Sequence, residues 1–190
     1  MPTTSSVKAK WIIATSVGWL IGVILVILFA MAFEGLGIHN MQFFMGLGLG
    51  AGIGYMQWRM LGKWLGMGAE WLWLTITGLT LPFLSIDLLK LFSSFSPSGN
   101  AYLLYSIASA GLTTGLFQFF ALKKDTRRSW PWIFGSLFSW SAAGIYFLTI
   151  NYTTAVSSHN MVLFALNLFI ILTGGLVLGI ISSIFLPACR

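Results

Sequence analysis

Six apolar runs make up most of this chain, at residues 11–33, 41–61, 71–92, 101–122, 129–151 and 161–186. Each is about 20 residues or longer, enough for a helix to cross a hydrocarbon core roughly 30 Å thick. No water reaches that layer, so the backbone must satisfy its own N–H and C=O groups, which leaves helices or closed barrels. Barrel strands are about half as long and alternate in polarity, and these runs do neither. Charged residues are 7% of the chain, against about 25% in soluble domains, too few to cover a water-facing surface. The expectation is an all-α integral membrane protein, one membrane domain over residues 1–190, with six transmembrane helices.

Charge sets the orientation. In a six-span arrangement Lys8, Lys10, Arg59, Lys63, Lys123, Lys124, Arg127, Arg128 and Arg190 fall on one side, and Lys90 alone on the other. The positive-inside rule then puts both termini in the cytoplasm. The net charge of +6 is spread over short loops rather than gathered on one face, so no nucleic-acid partner is expected. The cluster 123–128 is a topology signal that also attracts anionic lipid headgroups. Trp11, Trp58, Trp64, Trp71, Trp73, Trp130 and Trp132 lie near the same face and are expected to form an interfacial belt. Ala30-Met31-Ala32, after basic Lys8 and Lys10, resembles a signal cleavage site, but the apolar run exceeds the usual h-region of roughly 7–15 residues. The first run is expected to stay as a span. Asp87 and Lys90, at i,i+3 spacing on the opposite side, are expected to form a surface ion pair.

The runs repeat in pairs. Gly50-x3-Gly54-x2-Gln57-x3-Leu61 matches Gly111-x3-Gly115-x2-Gln118-x3-Leu122 and Gly175-x3-Gly179-x2-Ser182-x3-Leu186. Trp11, Trp71 and Trp132 begin the preceding spans; Gly18, Gly78 and Ser139 follow seven residues later, and Trp19, Leu79 and Trp140 come next. Three hairpins, 11–61, 71–122 and 130–186, each with an even number of spans, keep one orientation and imply a pseudo-threefold axis along the membrane normal. Gly46, Gly50 and Gly54 share one face of the second helix, Gly48 and Gly52 another. Small residues let membrane helices approach closely where no hydrophobic force draws them together, so this helix should pack on two sides.

The candidate ligand residues are few. Gln57, Gln118 and Ser182 need hydrogen-bond partners in hydrocarbon; they serve either as interhelical links or as a polar ring on the axis that binds a headgroup or gates a small permeant. Trp19 and Trp140 lie about 12 Å inside their span starts at 1.5 Å per residue, too deep for a belt. They either fill the bundle or stack on a planar ligand such as a quinone, carotenoid or chlorin. His39 and His159 are on outer loops without a fixed spacing, and the single cysteine, Cys189, has no partner, so no metal site is expected. There is no nucleotide loop, no H-E-x-x-H and no G-x-S-x-G, so no catalytic residue is assigned and the chain is not expected to be an enzyme.

Gly54-Tyr-Met-Gln-Trp-Arg-Met-Leu61, followed by Trp71 and a glycine-bearing span, resembles a group of uncharacterised bacterial, cyanobacterial-type multi-pass membrane proteins with repeated Gly-x-x-Gln-Trp-x-x-Leu hairpins. Phe119 replaces the tryptophan in the second copy, and Ser182 replaces the glutamine in the third. The resemblance implies repeated hairpins and the inner membrane of a bacterial cell. The functional expectation is a non-enzymatic structural or accessory membrane protein that binds lipid, another hydrophobic ligand, or a larger membrane complex. The alternative is a small transporter or channel with its path along the repeat axis.

Overall fold

The computed structural model describes residues 4–39, 41–92, 100–126 and 129–186, without the side chains of Thr4, Asn100, Ala101 and Asp125. Arg127, Arg128, Cys189, Arg190 and the polar segment 93–99 lie outside the described residues. The apolar runs are helical: α1 Thr4–Gly35, α2 Phe43–Leu65, α3 Glu70–Phe92, α4 Asn100–Asp125, α5 Pro131–Leu148 and α7 Asn160–Ile184. A 3₁₀ turn, Thr149–Tyr152, and a single turn α6, Thr153–Val156, join α5 to α7. No strand occurs among the described residues. Pro131 stands in the first turn of α5, where its missing N–H costs nothing. Gly66 ends α2 with φ +70° and donates its N–H to Gly62 O at 3.2 Å, a left-handed cap that glycine adopts without strain.

Each long helix packs on the ones before and after it, and α1 also packs on α7. The six therefore close into a ring. Five of them are long and apolar enough to cross a membrane: α1, α3, α4, α5 with its continuation to Val156, and α7. The second expected span, α2, has 23 residues but is not among these five; it carries alternating glycines and, in its second half, Gln57, Arg59 and Lys63.

Those glycines set the register of the ring. Gly46, Gly50 and Gly54 face α3: a β-carbon on Gly50 would lie 2.8 Å from the Cα of Ile76, and one on Gly54 would lie 3.0 Å from the Cβ of Thr75. Gly48 and Gly52 face α1, against Val26 and the Gly18–Gly22 backbone. The two-sided packing expected from sequence is therefore present. The same device recurs where Gly111 and Gly115 meet Trp140 and Ser136 of α5, and where Gly175 and Gly179 meet Trp19 and Ile12 of α1.

The Asp87–Lys90 ion pair forms, with Nζ 3.7 Å from Oδ1, but it is not a surface pair: the Asp87 side chain is 1% exposed. Asp87 Oδ2 accepts the backbone N–H groups of Gln42 and Phe43, at 2.6 and 2.7 Å. The carboxylate thus caps the start of α2 from a neighbouring helix. A helix N-terminus leaves unsatisfied N–H groups and a partial positive charge, and α2 has no side-chain cap of its own.

Gly52→Val should force α1 and α2 apart and cost about 1–3 kcal/mol, the usual range for overpacking. Gly68→Ala, at a position with open space around it, should leave the melting temperature in detergent unchanged. Asp87→Ala strands two N–H groups and should lower stability by about 1–3 kcal/mol, with Asp87→Asn intermediate. Thermal unfolding followed by circular dichroism checks both series.

Candidate functional site

At one end of the ring, α1, α3 and α5 begin and α2, α4 and α7 finish. Trp11, Trp71 and Trp132 meet there. Their ring centroids are 6.3, 5.4 and 5.9 Å apart for the pairs 11–71, 11–132 and 71–132. All three are buried, with Leu61 and Leu122 packed around them. The expected interfacial belt is thus corrected for these three: they are the core of this end. Trp73 and Trp130 are exposed, as belt residues would be.

Each indole N–H ends on an oxygen of an adjacent helix. Trp71 Nε1 donates to Gln57 Oε1 at 3.2 Å, and Trp132 Nε1 to Gln118 Oε1 at 2.8 Å. Gln57 Nε2 donates in turn to Thr15 Oγ1 at 3.1 Å, and Gln118 Nε2 to Thr75 Oγ1 at 2.8 Å. Each glutamine therefore bridges the helix before it and the helix after it. Trp11 Nε1 donates to Ser182 Oγ at 2.9 Å, across the joint between the first and last helices. Serine is too short to reach two helices; Ser136, one turn after Trp132, donates to Gly111 O at 2.7 Å instead. The roles of Thr15, Thr75 and Ser136 were not assigned from sequence, although Trp-x3-Thr/Ser recurs at 11–15, 71–75 and 132–136.

Gln57, Gln118 and Ser182 are thus brought to one level, with their polar atoms bonded between helices. The space they enclose with Thr114 and Ser136 is about 10 Å³, at the lower limit for a single water. Thr114 Oγ1 is buried there with no hydrogen-bond partner among the described residues.

Above this layer stand Trp19, Leu79 and Trp140. Trp19 and Trp140 have ring centroids 6.2 Å apart at 38°, and Trp19 Nε1 donates to Ile171 O at 2.8 Å. The structure therefore brings both deep tryptophans together. Their far side faces a cavity of about 300 Å³ with an apolar wall, to which all six long helices contribute. Ala110, Ala143, Gly144 and Gly46 are among its lining residues, and their short side chains leave the volume. Ile27, on one stripe of α1 with Trp19 and Val23, lines the cavity and is itself 54% exposed.

The other sequence candidates stay apart. Residue 39 lies in the α1–α2 loop and His159 immediately precedes α7; both histidines are exposed. Among the described residues no group of three or more His, Cys, Asp or Glu comes together. The architecture is that of a helical protein with five spans apolar enough for a multi-pass membrane protein. No family model matches the chain, and no curated protein or solved structure matches it.

Gln118→Leu should leave the Trp132 N–H without a partner and remove the bond the Thr75 hydroxyl accepts, though not its own donation to Trp71 O, and cost about 1–3 kcal/mol. Gln57→Leu with Gln118→Leu should cost more than either alone, while Ser182→Ala, which removes one interhelical bond, should cost least. Thermal unfolding ranks the three, and a shift in tryptophan emission reports the loosened cluster.

Proposed function

We propose that this chain is a non-enzymatic membrane protein that holds the apolar part of a hydrophobic ligand in the cavity above Trp19 and Trp140. In this reading six helices form three hairpins, 11–61, 71–122 and 130–186, about a pseudo-threefold axis. The matched bonds of Gln57 and Gln118, with Ser182 in the corresponding place opposite Trp11, support that arrangement. The distribution of Lys and Arg supports cytoplasmic termini. The Gly-x-x-Gln-Trp-x-x-Leu motif supports a bacterial inner membrane. An accessory role within a larger membrane complex is compatible with the same site.

The observation that carries the reading is the cavity itself. About 300 Å³ is at the lower end of ligand pockets, roughly 300–1,000 Å³. Left unfilled, an apolar void of that size would cost about 7 kcal/mol at about 24 cal/mol per Å³, comparable to the whole stability of a typical domain. Its occupant is therefore part of the folded state. Carbonyl oxygens would find no donor on an apolar wall, so a quinone head is disfavoured, and a whole carotenoid or chlorin is too large. The terminal part of a lipid or isoprenoid chain fits, with any polar head outside. The transporter reading has less support, because its path must pass the 10 Å³ space at Gln57, Gln118 and Ser182.

Protein purified from its own membrane in mild detergent should carry a hydrophobic molecule detectable by native mass spectrometry and by extraction into organic solvent. Ala143→Phe, which puts a phenyl ring into the cavity, should remove that molecule while the helical circular dichroism persists. Equal retention by the variant, or a bare wild-type protein, would overturn the proposal.

A further inference from the structure

A second site lies on the outside of the ring, at the tryptophan-cluster end. A groove of about 610 Å³ runs between α1 and α2, with Lys10, Arg59 and Lys63 along its upper part and Ile13, Met56 and Trp64 among its apolar walls. Gly18 sits against Ile53 and Gly22 against Leu49, so Lys10 is level with Leu61, midway between Arg59 and Lys63. The three cations fall within about one helical turn, or 6 Å, along the bundle. Ile13 and Met56 lie deeper.

The neighbouring hairpin supplies an internal comparison. Counted from Trp11 and Trp71, Lys10 and Glu70 hold the same position. Counted from Gln57 and Gln118, so do Lys63 and Lys124. In the α3–α4 hairpin the two positions form an ion pair, Lys124 Nζ to Glu70 Oε2 at 2.9 Å. In the α1–α2 hairpin both are lysine, and Arg59 adds a third charge where the other hairpin has Phe120. Arg59 is held by Tyr55, whose hydroxyl accepts from Nη1 at 2.9 Å. The chain has four acidic residues. Glu70 pairs with Lys124, Glu34 and Asp87 lie at the other end of the ring, and Asp125 ends α4 with its side chain outside the described residues. The ion pairs among the described residues include none to Lys10, Arg59 or Lys63.

We infer that this groove binds one anionic phospholipid, with its phosphate among Lys10, Arg59 and Lys63 and an acyl chain along Ile13 and Met56. The site is distinct from the interior cavity and does not depend on that cavity's being filled. Three clustered cations above an apolar wall match a phosphate joined to a chain, and basic residues near a membrane surface draw anionic lipid.

The test is native mass spectrometry of the full chain in detergent, titrated with dioleoyl phosphatidylglycerol, dioleoyl phosphatidylcholine or glycerol 3-phosphate. Phosphatidylglycerol should bind one equivalent at least about tenfold more tightly than phosphatidylcholine, and rising salt should weaken it. Lys10→Ala with Arg59→Ala and Lys63→Ala should lower that affinity at least tenfold. Lys123→Ala with Lys124→Ala should change it less than about twofold. Lys10→Glu, which recreates the charge pair of the neighbouring hairpin, should also lose the lipid and carries the test if the triple variant does not fold. Four results would overturn the site: equal binding of the two lipids, salt-independent binding, full retention by Lys10→Glu, or an equal loss in the Lys123/Lys124 variant. Glycerol 3-phosphate binding as tightly as the lipid would overturn the role of the chain.

Discussion

Each indole N–H of the three clustered tryptophans ends on a side-chain oxygen of a neighbouring helix, and the ring of helices depends on that contact. Hydrocarbon provides no hydrophobic force between helices; association rests on close packing and interhelical hydrogen bonds. The two work together here. Gly50 and Gly54 bring α2 against α3 near Ile76 and Thr75, and one turn on, Gln57 reaches both Thr15 and the Trp71 indole. Gly111 and Gly115 do the same for Gln118. A side chain at either glycine would push the backbones apart and break bonds one or two turns away. Each such bond is worth only about 0.5–2 kcal/mol, but an unsatisfied buried amide or indole costs more, so the layer either forms complete or fails.

The same design divides volume unevenly along the bundle. Three tryptophans and the leucines around them fill the end where α1, α3 and α5 begin. Toward the other end the inward positions include Gly46, Ala110, Ala143 and Gly144. Between the two lies the level of Trp19, Leu79 and Trp140, where two large rings and one smaller side chain form a floor. The cavity is what remains above that floor when short side chains on several helices face one another. Tight closure at one end and open volume at the other are consequences of the side chains that the same helices present at each end.

Much of this could be read from residue spacing. The alternating glycines of α2 predict two packed faces, and both are occupied. The Gly, Gln and Leu positions, spaced alike in the first two hairpins, take like places against glycine contacts, hydrogen bonds and the tryptophan cluster. Other features could not be read, because they depend on which helices become neighbours. A tryptophan at a span start looks the same whether it faces lipid or the bundle axis; Trp73 and Trp71, two residues apart, do one each. Asp87 reads as a partner for Lys90, three residues away, yet its principal bonds go to Gln42 and Phe43, 45 and 44 residues distant. The cavity has no motif, since it arises from the sum of small residues on separate helices.

The joint between α1 and α7 differs from the other two made by this layer. Gln57 and Gln118 each tie three helices together, whereas Ser182 receives a single bond from Trp11. Its hydroxyl otherwise donates within α7, to Leu178 O. The shorter side chain requires closer helices, and Gly175 and Gly179 permit this against Trp19 and Ile12. Beyond Trp19 the two helices are more exposed, with Ile27, Leu28 and Met31 on α1 and Phe164 and Leu168 on α7 facing outward. Ile27 also lines the cavity. An apolar chain in the cavity would come to rest against the Trp19 ring, which the bond to Ile171 O keeps in place as the floor.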